Sequence, residues 1–363
     1  MRIYSDKTVL EEAKNRISYL FDEFDDIVVS FSWWKDSTVV FYLTYEEAKK
    51  RNRLPLKVMF LDQEAEWTQT IEYIRAIQDL PGVEMIRVQV PFKVFNGTSY
   101  DDQWLECWKE WDEWLRDKEP NSIKENVFGT DRFHDLFNGI ARYIFGDNKW
   151  CFVWWVRAEE SPTRFLWLTG ALTYKDITRG KVLNEKYNQY TFYPIYDRSY
   201  TDIWKYINEN WYKYNEIYDY QYRYWIPVLE MRVSNLHHET AVRCLEYLPE
   251  VDIQLYNKLS SRLSGISTRA KHHFWAPDTL PFMFKDWKEY RDYLLEKLIT
   301  NQEHQTKFKK MFANIDKKLE WVKQSDKIGI YKTEINCMLV NDYHMTKLNT
   351  TVINLWKKLN RKK

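Results

Sequence analysis

The chain has 363 residues, with 54 Lys and Arg against 53 Asp and Glu, a formal net charge of +1 and 29% charged residues. That length is ample for a substantial core in one large domain or two ordinary ones. The near-neutral balance excludes a disordered polyelectrolyte and gives no global signal for nucleic acid.

Residues 8–23 have helical spacing, with Leu10, Ala13, Ile17, Leu20 and Phe21 on one side. Ile27-Val28-Val29-Ser30-Phe31 follows, a short β-branched run of the kind that forms a buried parallel strand. A polar turn leads to a helix over Ser37 to Lys50. Lys57 to Leu61 is a second buried strand ending on Asp62, residues 67–79 a helix, and Met85 to Val90 a third strand. This alternation predicts an α/β fold with a parallel sheet. Segment 98–148 has a helical, aromatic pattern, with Trp104, Trp108, Trp111 and Trp114 as a packing stripe rather than a platform for stacked bases. Phe152 to Val156 is a further strand ending at Arg157. Tyr193 to Asp197 is extended and leads into a helix near 200–210. Beyond about residue 235 the pattern is nearly all helical, with two charged amphipathic stretches near 286–324. The expected organisation is an α/β domain over 1–235 and a helical region over 236–363.

No apolar run is long enough to span a bilayer, and residues 1–30 lack a leader pattern, so a soluble cytoplasmic protein without a membrane partner is expected. Cys107, Cys151, Cys244 and Cys337 lie far apart. The His237-His238 and His272-His273 doublets belong to no ligand ladder, so neither zinc nor an iron–sulfur cluster is expected. Basic Lys357, Lys358, Arg361, Lys362 and Lys363 read as a solvated helix end, with nucleic-acid contact as the alternative. One count is abnormal. Glycine at its usual ~7% would give about 25 residues; the chain has 9, beside 18 tryptophans.

The strongest local signal is Ser30-Phe31-Ser32-Trp33-Trp34-Lys35-Asp36-Ser37, between the first strand and its helix. Ligands bind at the carboxyl ends of strands in such sheets, and a helix start favours an anion. Ser32 and Ser37 offer hydroxyls, Lys35 a positive charge, and Asp36 either a magnesium ligand or a cap. Plain helix capping by Asp36 or Ser37 is the competing reading.

Ser32-x-x-Lys35-Asp36-Ser37 after a buried strand resembles the SGGKDS loop of PP-loop ATP pyrophosphatases, closest to the phosphoadenosine-phosphosulfate (PAPS) reductase-like proteins. Leu61-Asp62-Gln63-Glu64 with Thr70 resembles that family's second-strand acidic motif. Arg157-Ala158-Glu159-Glu160-Ser161 with Arg164 resembles its RxxES-R motif. Tyr193-Pro194-Ile195-Tyr196-Asp197 with Asp202-Ile203-Trp204 is similar to its YPI segment. Tyr214 to Asp219, followed by Met231-Arg232-Val233, resembles a bacterial and phage subgroup often encoded beside a ParB-like partner. The resemblance spans roughly residues 10–270.

What the resemblance implies is a PP-loop domain of the adenine nucleotide alpha hydrolase-like kind, holding ATP or a PAPS-like nucleotide with Mg2+. Ser30, Ser32, Trp33, Trp34, Lys35, Asp36 and Ser37 would form the phosphate loop, with Asp36 on the metal. Asp62 and Glu64 would lie near the nucleotide. Arg157, Glu160, Ser161 and Arg164 would face its phosphate or sulfate end, with Asp197 nearby. Lys35, Asp36 and Arg157 are the implied catalytic set. The implied chemistry is a nucleotidyl-transferase reaction: ATP is cleaved to AMP and pyrophosphate to activate an acceptor, sulfur transfer being one outcome. The alternatives are a buried Arg157–Glu160 ion pair, Asp197 as a helix cap, and a non-catalytic nucleotide sensor or ParB-like partner subunit.

Two departures qualify this. The Glu-Cys-Gly cysteine motif of sulfonucleotide reductases does not occur, and Cys337 reads as a buried apolar residue, so reductase chemistry is not expected. Trp33-Trp34 stands where the family has Gly-Gly, which lets backbone reach phosphates; as written, the loop should bind ATP poorly. Trp155 and Trp225 likewise stand at family glycine positions. A single cause would account for all four: a source that reads the codon UGA as glycine, with the chain written as if UGA meant tryptophan. A loop knockout and a natural pseudoenzyme are the rival explanations. Enzyme activity is expected if 33 and 34 are glycine in the native protein.

Overall fold

The β-branched run at 26–30 lies at the centre of a sheet that buries both of its faces, which is why it carries no polar alternation. The structure, a computed structural model, describes residues 6–99, 104–170, 173–175, 177–185, 188–241, 244–263, 266, 279–281, 284–299, 301–340, 342 and 346–360. His272, His273 and the basic residues 361–363 lie outside them. Two compact units form: Met1–Lys93 with Glu106–Val233, and Val94–Leu105 with Ser234–Lys363.

The first unit runs α1 (Val9–Glu23), β1 (Asp26–Ser30), α2 (Lys35–Lys50), β2 (Leu56–Leu61), α3 (Thr68–Gln78) and β3 (Val83–Val88). Next come β4 (Phe92–Phe95) and β5 (Trp104–Cys107), which pair with each other and each have residues in both units, and then α4 (Phe133–Phe145), β6 (Trp150–Val153) and α5 (Pro162–Gly170) of the first unit. Then follow β7 (Thr173–Tyr174), β8 (Ile177–Asn184), β9 (Gln189–Phe192), α6 (Tyr200–Glu209) and α7 (Ile217–Arg223). The main sheet has the order β3-β2-β1-β6-β9-β8-β7. Its first five strands are parallel, and β8 and β7 add on antiparallel. Strand order therefore reverses between β1 and β6, the switch point where an open α/β sheet leaves a crevice at its carboxyl edge. This is the α/β fold with a mostly parallel sheet that the alternation predicts.

Helix α1 starts on a capping box between Thr8 and Glu11 and buries Ala13, Ile17, Leu20 and Phe21, the stripe read from sequence. The second unit contains α8 (Cys244–Val251), α9 (Ile253–Arg262), α10 (Trp287–Lys297), α11 (Gln302–Lys318), α12 (Gln324–Leu339) and α13 (Thr346–Asn360). Its core packs Trp287, Phe308, Phe312, Ile315, Ile335 and Met338. Buried in it, Arg291 donates to Glu334 at 2.7 Å and to Asp316 at 3.0 Å.

Three expectations need correction. The 104–114 tryptophans do not form a helical stripe. Trp104 is in a strand, and Trp108 and Trp111 sit at φ 56° and 69°, outside the α-helical region. The strand before Arg157 stops at Val153, not Val156; Trp154 N–H makes one further bond to the neighbouring strand, to Phe192 O at 2.8 Å. The β8–β9 ribbon was not foreseen; Ile177-Thr178-Arg179-Gly180-Lys181-Val182 carries no apolar–polar alternation that would mark a strand.

Candidate functional site

Three strand ends meet along the carboxyl edge of the β2-β1-β6 core. The turn after β1 carries Ser30 to Ser37. Ser30, Lys35, Asp36 and Ser37 are all buried. Helix α2 starts here with Trp34 at its N-cap and no side-chain cap, so neither Asp36 nor Ser37 caps it. Ser37 Oγ instead donates to Trp34 O at 2.8 Å. Free N–H groups thus remain at a helix start, the arrangement that attracts an anion. Lys35 N–H is not among them: it donates to the Tyr218 hydroxyl at 3.1 Å. Burial, with Asp36 close by, keeps that phenol protonated far above its ordinary range. Ser32 Oγ and Trp34 Nε1 are buried without a hydrogen-bond partner among the described residues.

The turn after β6 brings Arg157 against the loop. Its Nε lies 2.5 Å from Asp36 Oδ1, and its Nη1 donates to Glu159 at 3.0 Å. Asp36 Oδ2 faces Lys35 Nζ at 3.3 Å. Glu160 does not pair with the Arg157 side chain. It accepts the Arg157 backbone N–H at 3.1 Å and the Arg164 guanidinium, while Ser161 Oγ accepts Arg164 N–H at 3.1 Å and so starts α5. The buried ion pair foreseen between Arg157 and Glu160 is thus one between Arg157 and Asp36.

The turn after β2 holds a second buried cluster. Asp62 accepts Glu64 N–H and Gln89 Nε2, both at 3.0 Å, and the Arg116 guanidinium. Glu64, at φ 64°, accepts Trp108 N–H at 2.7 Å. Complete burial, then the nearby Asp62, raises the Glu66 carboxyl well above the usual carboxylate range. Thr70 Oγ1 accepts Asn215 Nδ2 at 2.8 Å, joining two of the sequence motifs.

Asp197 is not a cap. Ser199 caps α6 in a box with Asp202, while Asp197 takes both Arg16 Nη atoms at 2.6 Å. Arg16, Arg116 and Tyr218 are site-supporting residues that sequence reasoning missed. Each meets its partner across at least 54 positions, with no local signal.

Trp33 lies at φ 55°, is 3% exposed, packs edge-on against Phe60 and donates to Val233 O at 3.3 Å. Trp34 is extended, with φ −77°.

Residues 26–224 match the phosphoadenosine phosphosulfate reductase domain, more than half of the chain. The chain belongs to this family. It is a member of the PP-loop superfamily. It is also 24% identical over 307 residues to the uncharacterized protein YbdN of Escherichia coli strain K12, covering 80% of this chain and 75% of that one. Among solved structures, Candida glabrata FMN adenylyltransferase aligns at TM-score 0.37 and 12% identity over 60% of this chain. The chain spans only 62% of that protein's length. Candida auris PAPS reductase, a phosphate complex, aligns at TM-score 0.33 and 10% identity, over 65% of this chain and 98% of that one.

Among the described residues no three metal-ligating side chains cluster, and no helix is long and apolar enough to cross a membrane. Asp36 is the loop's carboxylate, and its two oxygens face Arg157 Nε at 2.5 Å and Lys35 Nζ at 3.3 Å, so a magnesium ion there would have to displace a cation. All four cysteines are buried thiols.

Proposed function

We propose that this family member binds the triphosphate of ATP at the β1–α2 turn and cleaves ATP to AMP and pyrophosphate, adenylating an acceptor. The observation that carries the reading is the buried Asp36–Arg157 pair at the sheet's switch point, beside an uncapped helix start and the unpartnered Ser32 hydroxyl. Burying two charges there is costly for stability alone, which favours a binding role.

In this reading Ser32, Ser37 and the α2 N–H groups hold the β- and γ-phosphates, and Lys35 balances their charge. Asp36 would hold magnesium only with one of its facing cations displaced; the ion neutralises charge on the phosphates. Arg157, backed by Glu159, stabilises charge at the α-phosphate as the acceptor's lone pair forms a bond to phosphorus. The bond from the α-phosphorus to the bridging oxygen breaks, and pyrophosphate leaves with that oxygen and the electron pair. Glu160, Ser161 and Arg164 fix the Arg157 turn, and Asp62 and Glu64 flank the nucleotide. The acceptor, sulfur-bearing or otherwise, and a ParB-like partner belong to the same proposal.

A second reading is a non-catalytic nucleotide sensor. The buried indole of Trp33 in the loop counts against turnover by the chain as written. Magnesium-dependent pyrophosphate release from ATP, measured with glycine at 33 and 34, separates the two. Release above a Lys35→Ala background supports the enzyme; nucleotide binding without release supports the sensor.

A further inference from the structure

Among the described residues, left-handed backbone is occupied by tryptophan more often than by glycine. Among the described residues, nine non-glycine residues have positive φ, and five are tryptophan: Trp33, Trp108, Trp111, Trp211 and Trp225, at 54–69°. Only three glycines, Gly82, Gly129 and Gly146, do so. Asparagine tolerates this region through its short polar side chain, so Asn52 and Asn188 are ordinary; a bulky indole is not.

Three of the five sit in turns whose chemistry asks for glycine. Helix α6 ends at Glu209 with Asn210 as its cap. Trp211 N–H bonds Asn208 O at 3.2 Å, and Tyr212 N–H bonds Ile207 O at 3.1 Å. Helix α7 ends the same way: Trp225 N–H to Tyr222 O at 3.0 Å, Ile226 N–H to Gln221 O at 3.1 Å, then Pro227. Both are Schellman endings with tryptophan in the one left-handed position, where glycine dominates. Helix α2 closes on the same pair of bonds with Asn52 there. Trp111 is the third residue of a four-residue turn closed by Asp112 N–H to Lys109 O at 3.3 Å, and positive φ there is the glycine requirement of a type II turn.

Packing supplies no reason for these side chains. Trp111, Trp211 and Trp225 are 99%, 90% and 92% exposed, so the indoles gain almost no burial for the backbone strain they impose. The composition, 9 glycines to 18 tryptophans, points the same way.

We infer that glycine is the natural residue at positions 33, 111, 211 and 225, encoded by UGA codons that the source reads as glycine. Positions 111 and 211 are assigned by backbone geometry alone; no family motif reaches them. Trp108 is not among the four, because its indole is fully buried and donates to Asp62 O at 2.7 Å. Trp34 and Trp155 lack this signature. For position 33 the consequence, a phosphate loop cleared of its indole, rests on the nucleotide reading above; the assignment does not.

The test is peptide mass spectrometry of the protein from its source, on the tryptic peptides Tyr206–Lys213 and Ile17–Lys35. Glycine masses at 211 and 33 are expected; tryptophan at both, or UGG codons there, overturns the inference whatever the enzymology shows. A second arm uses the chain as written. The triple change Trp111→Gly, Trp211→Gly, Trp225→Gly should raise the melting temperature by about 5 °C relative to the same three positions changed to alanine. A triple-glycine variant no more stable than the alanine one also overturns it.

Discussion

Arg157 Nε and Asp36 Oδ1 lie 2.5 Å apart, with both side chains at most 5% exposed, and they join the turn after β1 to the turn after β6. These two turns leave the sheet on either side of its switch point. The pair therefore locks the walls of the crevice together while holding an arginine and a carboxylate where phosphate chemistry needs them.

Arg157→Ala strands a buried carboxylate with only Lys35 opposite, and should cost about 3 kcal/mol of stability. Adding Asp36→Asn should return at least ~1 kcal/mol of that loss, since the stranded charge is gone. Urea unfolding of the two single variants and the double variant gives the coupling; additive losses would mean that the pair is not formed.

Asp197→Ala removes both acceptors of the Arg16 Nη groups and leaves Pro194 O as the remaining short contact of that buried guanidinium. A loss of about 2 kcal/mol is expected, whereas removing exposed Glu209 from its pair with Lys205 should change stability by less than ~0.5 kcal/mol. Chemical denaturation of both variants checks the contrast.

His237 is buried, with Nδ1 2.8 Å from Phe95 O, and burial lowers its pKa from 6.5 to about 3. The folded state stays neutral while the unfolded chain takes up a proton below its ordinary pKa. This group's contribution is therefore intact above pH 6.5 and is lost as pH falls towards 3. One pH unit below the unfolded value the loss is about 1.4 kcal/mol. His237→Gln should remove that share of the acid sensitivity, measured as denaturation midpoints at mildly acidic and mildly alkaline pH; an unchanged pH slope would contradict it.

Strands β1 to β3 and helices α1 to α3 were legible because buried parallel strands are unbroken apolar runs and the intervening helices carry clear apolar stripes. The site loops were legible as short motifs. What each side chain touches was not, because Arg16, Arg116 and Tyr218 reach their partners only through the folded topology. The tryptophan spacing at 104–114 misled for a separate reason. Spacing assumes helical backbone, and positive φ at Trp108 and Trp111 rules that out.

The central claim is that the β1–α2 turn and Arg157 together hold a triphosphate. It is tested most directly by equilibrium binding of ATP with magnesium to the chain carrying Trp33→Gly and Trp34→Gly, with and without Arg157→Ala. Saturable binding that weakens at least tenfold in the Arg157 variant is the predicted result. A folded glycine-loop protein that binds no ATP, or binds it equally well without Arg157, would contradict the account.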